Sequence, residues 1–301
     1  MSPSRVTARW GALAKGVALL AVTVALAVAV LQAWIVVERT LPALHPFRLP
    51  VDPDLARALG PVEEVAVSSE GGVVLRGWYV PSRNGAAVVF AHGLEANRTQ
   101  LVPLAAPLVR AGFGALLLDS RAHGESGGDR CTLGWREQAD LRAALEFLGR
   151  RRDVAPGRVG IVGYSVGGLA GGLVAARDGR IRAVALAATF GSLSELVAAE
   201  EHAWTAPIAW ATLRVAGIDL DAVRLEPALC DLAPRPLLLI FGSEDTTATP
   251  ALGRRLVSRA CDPASLEIVP GADHAHLPAA AGERLGARLV AFFEAGLAPR
   301  P

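Results

Sequence analysis

The sequence predicts a doubly wound, mostly parallel α/β sheet carrying a small helical cap and preceded by one transmembrane helix. Three observations lead there. A 21-residue uncharged run, Val17 to Val37, stands near the N-terminus. Short, continuously apolar segments then alternate with longer helical stretches. One interval, Ser192 to Ala233, is too long for a simple crossover between strands.

Twenty-one helical residues rise roughly 31 Å, close to the thickness of a bilayer's hydrocarbon. The run holds two polar residues, Thr23 and Gln32, so it has no polar face to turn outward in a soluble protein. A cleaved signal peptide is the competing reading, and Ala27-Val28-Ala29 resembles a cleavage site. The apolar run continues past it through Trp34-Ile35-Val36-Val37, which favours an uncleaved anchor. Trp10 and Trp34 are expected near the two membrane interfaces. Arg5, Arg9 and Lys15 precede the segment, so the positive-inside rule assigns residues 1–15 to the cytoplasm and the globular part to the other side. The anchor itself is expected over 16–38.

Pro42, Pro46, Pro50 and Pro53 break up residues 39–59, read as a stiff linker or a segment draped over the domain. The globular domain is expected over 60–298. Its strands are Val73–Val80, Ala86–Phe90, Ala115–Asp119, Val159–Gly163, Ala183–Thr189, Pro236–Gly242 and Leu266–Val269. Unbroken apolar strands imply a sheet covered on both faces. Helices are expected over Arg98–Ala111, Gly134–Arg150, Gly167–Arg177, Ala251–Ala260 and Gly282–Ala295. The β-α alternation gives a parallel sheet, whose sites gather at the carboxyl ends of strands. Residues 192–233 would form the cap. Its Trp204 and Trp210 line a substrate pocket or pin the cap down.

Composition excludes some functions. Net charge is +1 with acidic residues spread throughout, so no nucleic-acid surface is indicated. Cys131, Cys230 and Cys261 form no C-x-x-C pair, so no metal site is implied. Buried free thiols are favoured over a Cys230–Cys261 bridge.

The chemistry-bearing signal is Gly163-Tyr164-Ser165-Val166-Gly167, a G-x-S-x-G between a strand and a helix. Gly163 and Gly167 permit a turn too tight for side chains, which exposes the Ser165 hydroxyl at a helix N-terminus. A nucleophilic serine needs a base, and the base needs an orienting acid. His274, just after the last strand, is the base, with His276 as the neighbour that could replace it. Asp245, ending the penultimate strand, is the acid, with Glu244 as its alternative. Developing negative charge needs preorganised donors. Those expected are the backbone N–H groups of Val166 and of Leu94, with His92 and Gly93 shaping the turn. His45 and His202 are read as surface or packing residues.

The segments AHGLEANR, DSRAHGESGG, GYSVGG, FGSED and GADHAHL together resemble the α/β-hydrolase superfamily. Within it, they are similar to the bacterial serine aminopeptidase-like and esterase/lipase group, over about residues 60–298. Asp119, Arg121, His123, Gly124 and Ser126 resemble that group's D-x-R-x-H-G-x-S loop, whose role there is chiefly structural. Related sequences often read D-x-x-V-P after the acid, and here Pro250 falls one residue later. The resemblance implies ester hydrolysis through an acyl-enzyme with no metal or organic cofactor. Amide or peptide hydrolysis and acyl transfer share the chemistry. A non-catalytic membrane-tethered binding module would be signalled by loss of Ser165, Asp245 or His274, and all three are present. The expected partners are a small acyl substrate, lipidic if the apolar cap faces the membrane, and the bilayer itself.

Overall fold

The computed structural model describes residues 3–201 and 204–299. His202 lies outside the described residues. Eight strands form one sheet in the order β1-β2-β4-β3-β5-β6-β7-β8. They are β1 (Glu63–Ser68), β2 (Val74–Val80), β3 (Ala87–Ala91), β4 (Gly114–Leu118), β5 (Val159–Tyr164), β6 (Ile181–Ala187), β7 (Leu237–Gly242) and β8 (Ala264–Val269). The pairs β1–β2 and β2–β4 are antiparallel, and every pair from β4 through β8 is parallel.

All residues of β3, β4, β5 and β7 are buried. Their unbroken apolar sequences follow from covering on both sides. The helices are α1 (Pro3–Thr40), α2 (Val102–Arg110), α3 (Glu137–Gly149), α4 (Val166–Arg177), α5 (Leu193–Glu200), α6 (Ala206–Val215), α7 (Pro250–Arg259), α8 (Leu277–Ala280) and α9 (Gly282–Gly296). Successive strand residues face opposite sides of a sheet. In β5, Gly160 lies against Phe293 of α9 while Ile161 lies against Gly171 of α4. These two helices therefore cover opposite faces. Helix α2 packs on α9, and α3 on α4.

Strand β1 has no counterpart among the sequence-predicted strands. It is an edge strand whose residues are mostly exposed, so its sequence EEVAVS lacks the apolar run that marks the others. The segment after α1 lies across the domain surface. Leu44 and Leu59 are buried. Asn97 donates to the carbonyls of Leu49 and Pro50, and Arg48 donates to those of Gly124 and Gly128.

The cap consists of α5 and α6, packed on each other, followed by an irregular return and a 3-10 turn at Glu226–Leu232. Trp210 donates its indole N–H to the Ser194 carbonyl, joining α6 to α5.

The cysteines depart from expectation. Cys230 and Cys261 form a disulfide, and Cys131 remains free and buried. The 3-10 turn that carries Cys230 packs alongside α7, and Cys261 follows that helix by two residues. The pairing depends on that packing of distant segments, which cysteine spacing does not encode.

Helix α1 has a mean hydropathy of 2.5 over its most apolar window, of which 6% is buried. It is long and apolar enough to cross a membrane. Its last turns join the domain: Val36 is 2% exposed, and α1 packs against α6 of the cap.

Candidate active site

Strand β5 ends at Tyr164 and α4 begins at Val166, so Ser165 occupies the turn between them with φ 52° and ψ −119°. Positive φ strains a residue that has a side chain, and such strain persists only where its surroundings enforce it. Here the Ser165 N–H is tied to the Ala187 carbonyl at 2.9 Å. The flanking glycines make the turn sterically possible. A Cβ at Gly163 would come within 2.7 Å of the Gly167 carbonyl oxygen, and one at Gly167 within 2.3 Å of the Ala91 carbonyl oxygen. Gly167 thus lets the start of α4 approach the end of β3, bringing Val166 beside the turn at Leu94.

His274 is carried by the loop after β8. Its Nε2 lies 3.2 Å from Ser165 Oγ, and its Nδ1 lies 2.8 Å from Asp245 Oδ2. Asp245 is 3% exposed. Its other oxygen, Oδ1, accepts the N–H groups of Thr247 (2.9 Å) and Ala248 (2.7 Å). Those bonds fix the carboxylate and leave Oδ2 for the histidine. The extra residue before Pro250 is accommodated in this turn. The two loops meet because Gly242 has no side chain, since a Cβ there would fall 2.1 Å from the Ala272 carbonyl oxygen. Nothing in the sequence pattern marked Gly242 as a site residue.

The neighbours considered as alternatives lie elsewhere. Glu244 is exposed, and its N–H bonds the Ala272 carbonyl. His276 is exposed and pairs with Asp273 at 2.9 Å, a contact that holds the Asp273 carboxyl below its ordinary range. His45 bonds the Asp129 carbonyl at the surface.

The loop after β3 supplies the other half of the site. Gly93 N–H donates to Gln100 Oε1 (2.9 Å), and Glu95 N–H donates to His123 Nε2 (3.3 Å). Among the described residues no acceptor meets the Leu94 N–H between them. Val166, first in α4, carries one of the N–H groups a helix cannot pair internally. His92 is buried; its Nδ1 faces the Gly93 carbonyl and its Nε2 accepts the Ser120 N–H. Burial, reinforced by neighbouring His123, lowers its pKa to about 4. His123 is likewise lowered by burial. Both imidazoles are therefore neutral struts under the turn at residues 92–95.

Ser165 and His274 open into a cavity of about 670 Å³. That volume is typical of a small-molecule site. Leu94, Leu133, Phe190, Leu196, Val197 and Leu213 form its apolar wall, and Arg39, Glu95, Glu200 and Glu201 contribute charge. Tyr164 and Phe190 flank the His274 ring at centroid distances of 5.8 and 6.1 Å. The cap tryptophans are not part of the wall: Trp210 joins the two cap helices, and Trp204 is 59% exposed. The cap lines the cavity with Leu196, Val197 and Leu213 and with the carboxylates of Glu200 and Glu201 instead. Thr40 and Ala43, from the end of α1 and just beyond, also border it. Sequence reasoning missed this contribution, because it depends on α1 docking against α6.

An eight-stranded sheet of this order, with a serine on a tight strand–helix turn and a histidine after the last strand, defines the α/β-hydrolase fold. An esterase of Pyrococcus furiosus superposes with a TM-score of 0.70 at 22% identity, over 84% of this chain and 98% of its own. Residues 82–233 match the family model described as serine aminopeptidase, S33. The uncharacterized protein Rv2307c of Mycobacterium tuberculosis is 32% identical over 228 residues, 74% of this chain and 75% of that protein. The uncharacterized protein YfhR of Escherichia coli K12 is 31% identical over 221 residues, 70% and 73% of the two chains. The chain belongs to this serine aminopeptidase-like family of α/β hydrolases.

Proposed function

We propose that this protein is a serine hydrolase that cleaves carboxylic esters through an acyl-enzyme. In this reading Ser165 is the nucleophile, His274 the general base and acid, and Asp245 the orienting carboxylate. The observation that carries it is the contact chain from Ser165 Oγ to His274 Nε2 (3.2 Å) and from His274 Nδ1 to Asp245 Oδ2 (2.8 Å). His274 takes the Oγ proton as Ser165 attacks the acyl carbonyl. The N–H groups of Val166 and Leu94 face the oxyanion as it develops. His274 then protonates the leaving alkoxide, and the acyl group remains on Ser165. A water molecule, deprotonated by His274, attacks the acyl-enzyme and releases the acid. No step calls on a metal or an organic cofactor.

One feature favours amide cleavage as a second reading. Among the described residues the cavity carries three carboxylates, Glu95, Glu200 and Glu201, against one arginine, Arg39. Such a rim suits a substrate with an ammonium group, such as an N-terminal aminoacyl residue. A panel of p-nitrophenyl esters of graded chain length, run beside aminoacyl p-nitroanilides, separates the two. Ester turnover at least 100-fold above anilide turnover is expected, and the reverse ratio would replace the esterase reading by an aminopeptidase one.

We also propose that α1 is an uncleaved anchor with the catalytic domain outside the cytoplasm. The basic residues on the N-terminal side of the apolar run support that orientation. The Cys230–Cys261 bridge does too, since disulfides persist in oxidising compartments. The full-length chain is expected to stay in the membrane fraction through an alkaline carbonate wash. A mature N-terminus near Val30 would establish signal-peptide cleavage instead.

A further inference from the structure

The cavity beside Ser165 has a wall that a soluble hydrolase domain would not supply. Arg39 and Thr40 end α1, Ala43 follows, and all three border the same space as Ser165 and His274. The uncharged run ends at Val37, and Thr40 is three residues later, about 4.5 Å along a helix. With α1 in a bilayer, the cavity begins within one helical turn of the hydrocarbon. Helix α6 holds this arrangement by packing on α1, where Val36 is buried.

The elements that meet at this junction carry exposed apolar side chains as well as the exposed Glu38 and Arg39. Trp204 is 59% exposed and Val215 91%, and they lie just before α6 and at its end. Leu41 and Phe47, on the segment leaving α1, are also exposed. Exposed aromatic and aliphatic groups on the segments that flank a membrane helix suit the headgroup level. On the cap side of the cavity, Leu196, Val197 and Leu213 form an aliphatic strip, with Glu200 and Glu201 beside it.

We infer that the substrate is a bilayer-resident ester with a long acyl chain, admitted at the seam between the end of α1 and α6. This rests on the serine-hydrolase reading above and specifies its substrate class. The acyl chain lies along the aliphatic cap wall, and its ester carbonyl reaches Ser165 without the chain crossing water. The advantage is one of concentration, because each methylene moved from water into hydrocarbon favours the bilayer about fourfold.

The test uses the full-length chain reconstituted in phosphatidylcholine vesicles. 4-Methylumbelliferyl palmitate is dissolved either in those vesicles or in separate protein-free ones, and 4-methylumbelliferyl butyrate serves as the soluble comparison. Palmitate hydrolysis at least tenfold faster from the protein's own vesicles is expected, with butyrate hydrolysed in both arrangements. Thr40→Trp, which narrows the seam, is expected to lower the palmitate-to-butyrate rate ratio at least fivefold. Equal palmitate rates from both vesicle populations would overturn the inference, as would an unchanged ratio in the variant. Butyrate turnover without any palmitate turnover would overturn it as well. Hydrolysis of neither ester would instead overturn the serine-hydrolase reading itself.

Discussion

Ser165→Ala is expected to lower turnover of a short acyl ester by roughly 10⁴- to 10⁶-fold, the range set by losing a nucleophile or its base in serine hydrolases. The fold should be unaffected. The Ser165 N–H bond to Ala187 and the turn's glycines are backbone features, and among the described residues the one side-chain hydrogen bond of Oγ is with His274 Nε2. His274→Ala should lose a similar factor, and the double variant little more than either single one, because the groups act as a unit. His276→Ala is the internal control. Its ring bonds Asp273 at the surface and should leave the rate within about twofold. Steady-state kinetics on p-nitrophenyl butyrate measure all four variants. Retained activity in Ser165→Ala, or loss in His276→Ala, would remove the mechanism proposed here.

The legible part of this molecule is the part governed by local pattern. Strands such as GALLL and LLLIFG announce themselves because burial on both faces demands unbroken apolar sequence. The turn at Ser165 is legible because steric closeness admits only glycine at 163 and 167, and steric demands leave a fixed spacing. Asp245 and His274 stand out by strand-end position, since parallel sheets collect their loops at one edge, and the structure brings their side chains together with Ser165.

What was not legible depends on contacts between distant segments. Strand β1 is recognised by its pairing with β2, from Glu63–Tyr79 to Ser68–Val74, and not by its own composition. The Cys230–Cys261 bridge follows from how α7 lies beside the turn before β7. Glycine 242 becomes a site residue only when the Ala272 carbonyl is brought against it. The wall from α1 is the largest omission. The apolar run is legible as a helix long and apolar enough to cross a membrane, yet nothing in it says that its last turn closes a cavity around a serine 125 positions later.

The largest stability effect is expected at Asp119, the residue that secures the floor of the site. Its side chain and that of Arg98 are both fully buried. Oδ1 accepts the Arg98 backbone N–H (2.7 Å) and Nε (3.1 Å), while Oδ2 accepts the far guanidinium nitrogen (2.7 Å) and the Glu125 N–H (2.9 Å). Burial alone would lower the Arg98 pKa, but the bond to Asp119 and its charge outweigh this and raise it. The Asp119 carbonyl also accepts Ser126 Oγ, which in turn accepts the Arg76 N–H. The carboxylate therefore joins the segment after β3 to the loop after β4, and the Asp119 backbone carbonyl, through Ser126, ties that loop to strand β2. The imidazoles under the turn at Leu94 stand on that same loop. Asp119→Ala leaves a buried guanidinium with Glu125 and Glu64 as its remaining partners, both largely exposed. Removing one member of a buried ion pair costs about 3–5 kcal/mol. In a domain of this size, that corresponds to a melting temperature lower by roughly 10 °C. Thermal unfolding of the detergent-solubilised chain measures it. The double variant Arg98→Met/Asp119→Leu should recover part of the loss, because it removes the unpaired charge along with its partner. A drop under about 1 kcal/mol in Asp119→Ala would mean that Glu125 alone satisfies Arg98, and that the D-x-R-x-H-G-x-S loop is held by its backbone rather than by this pair.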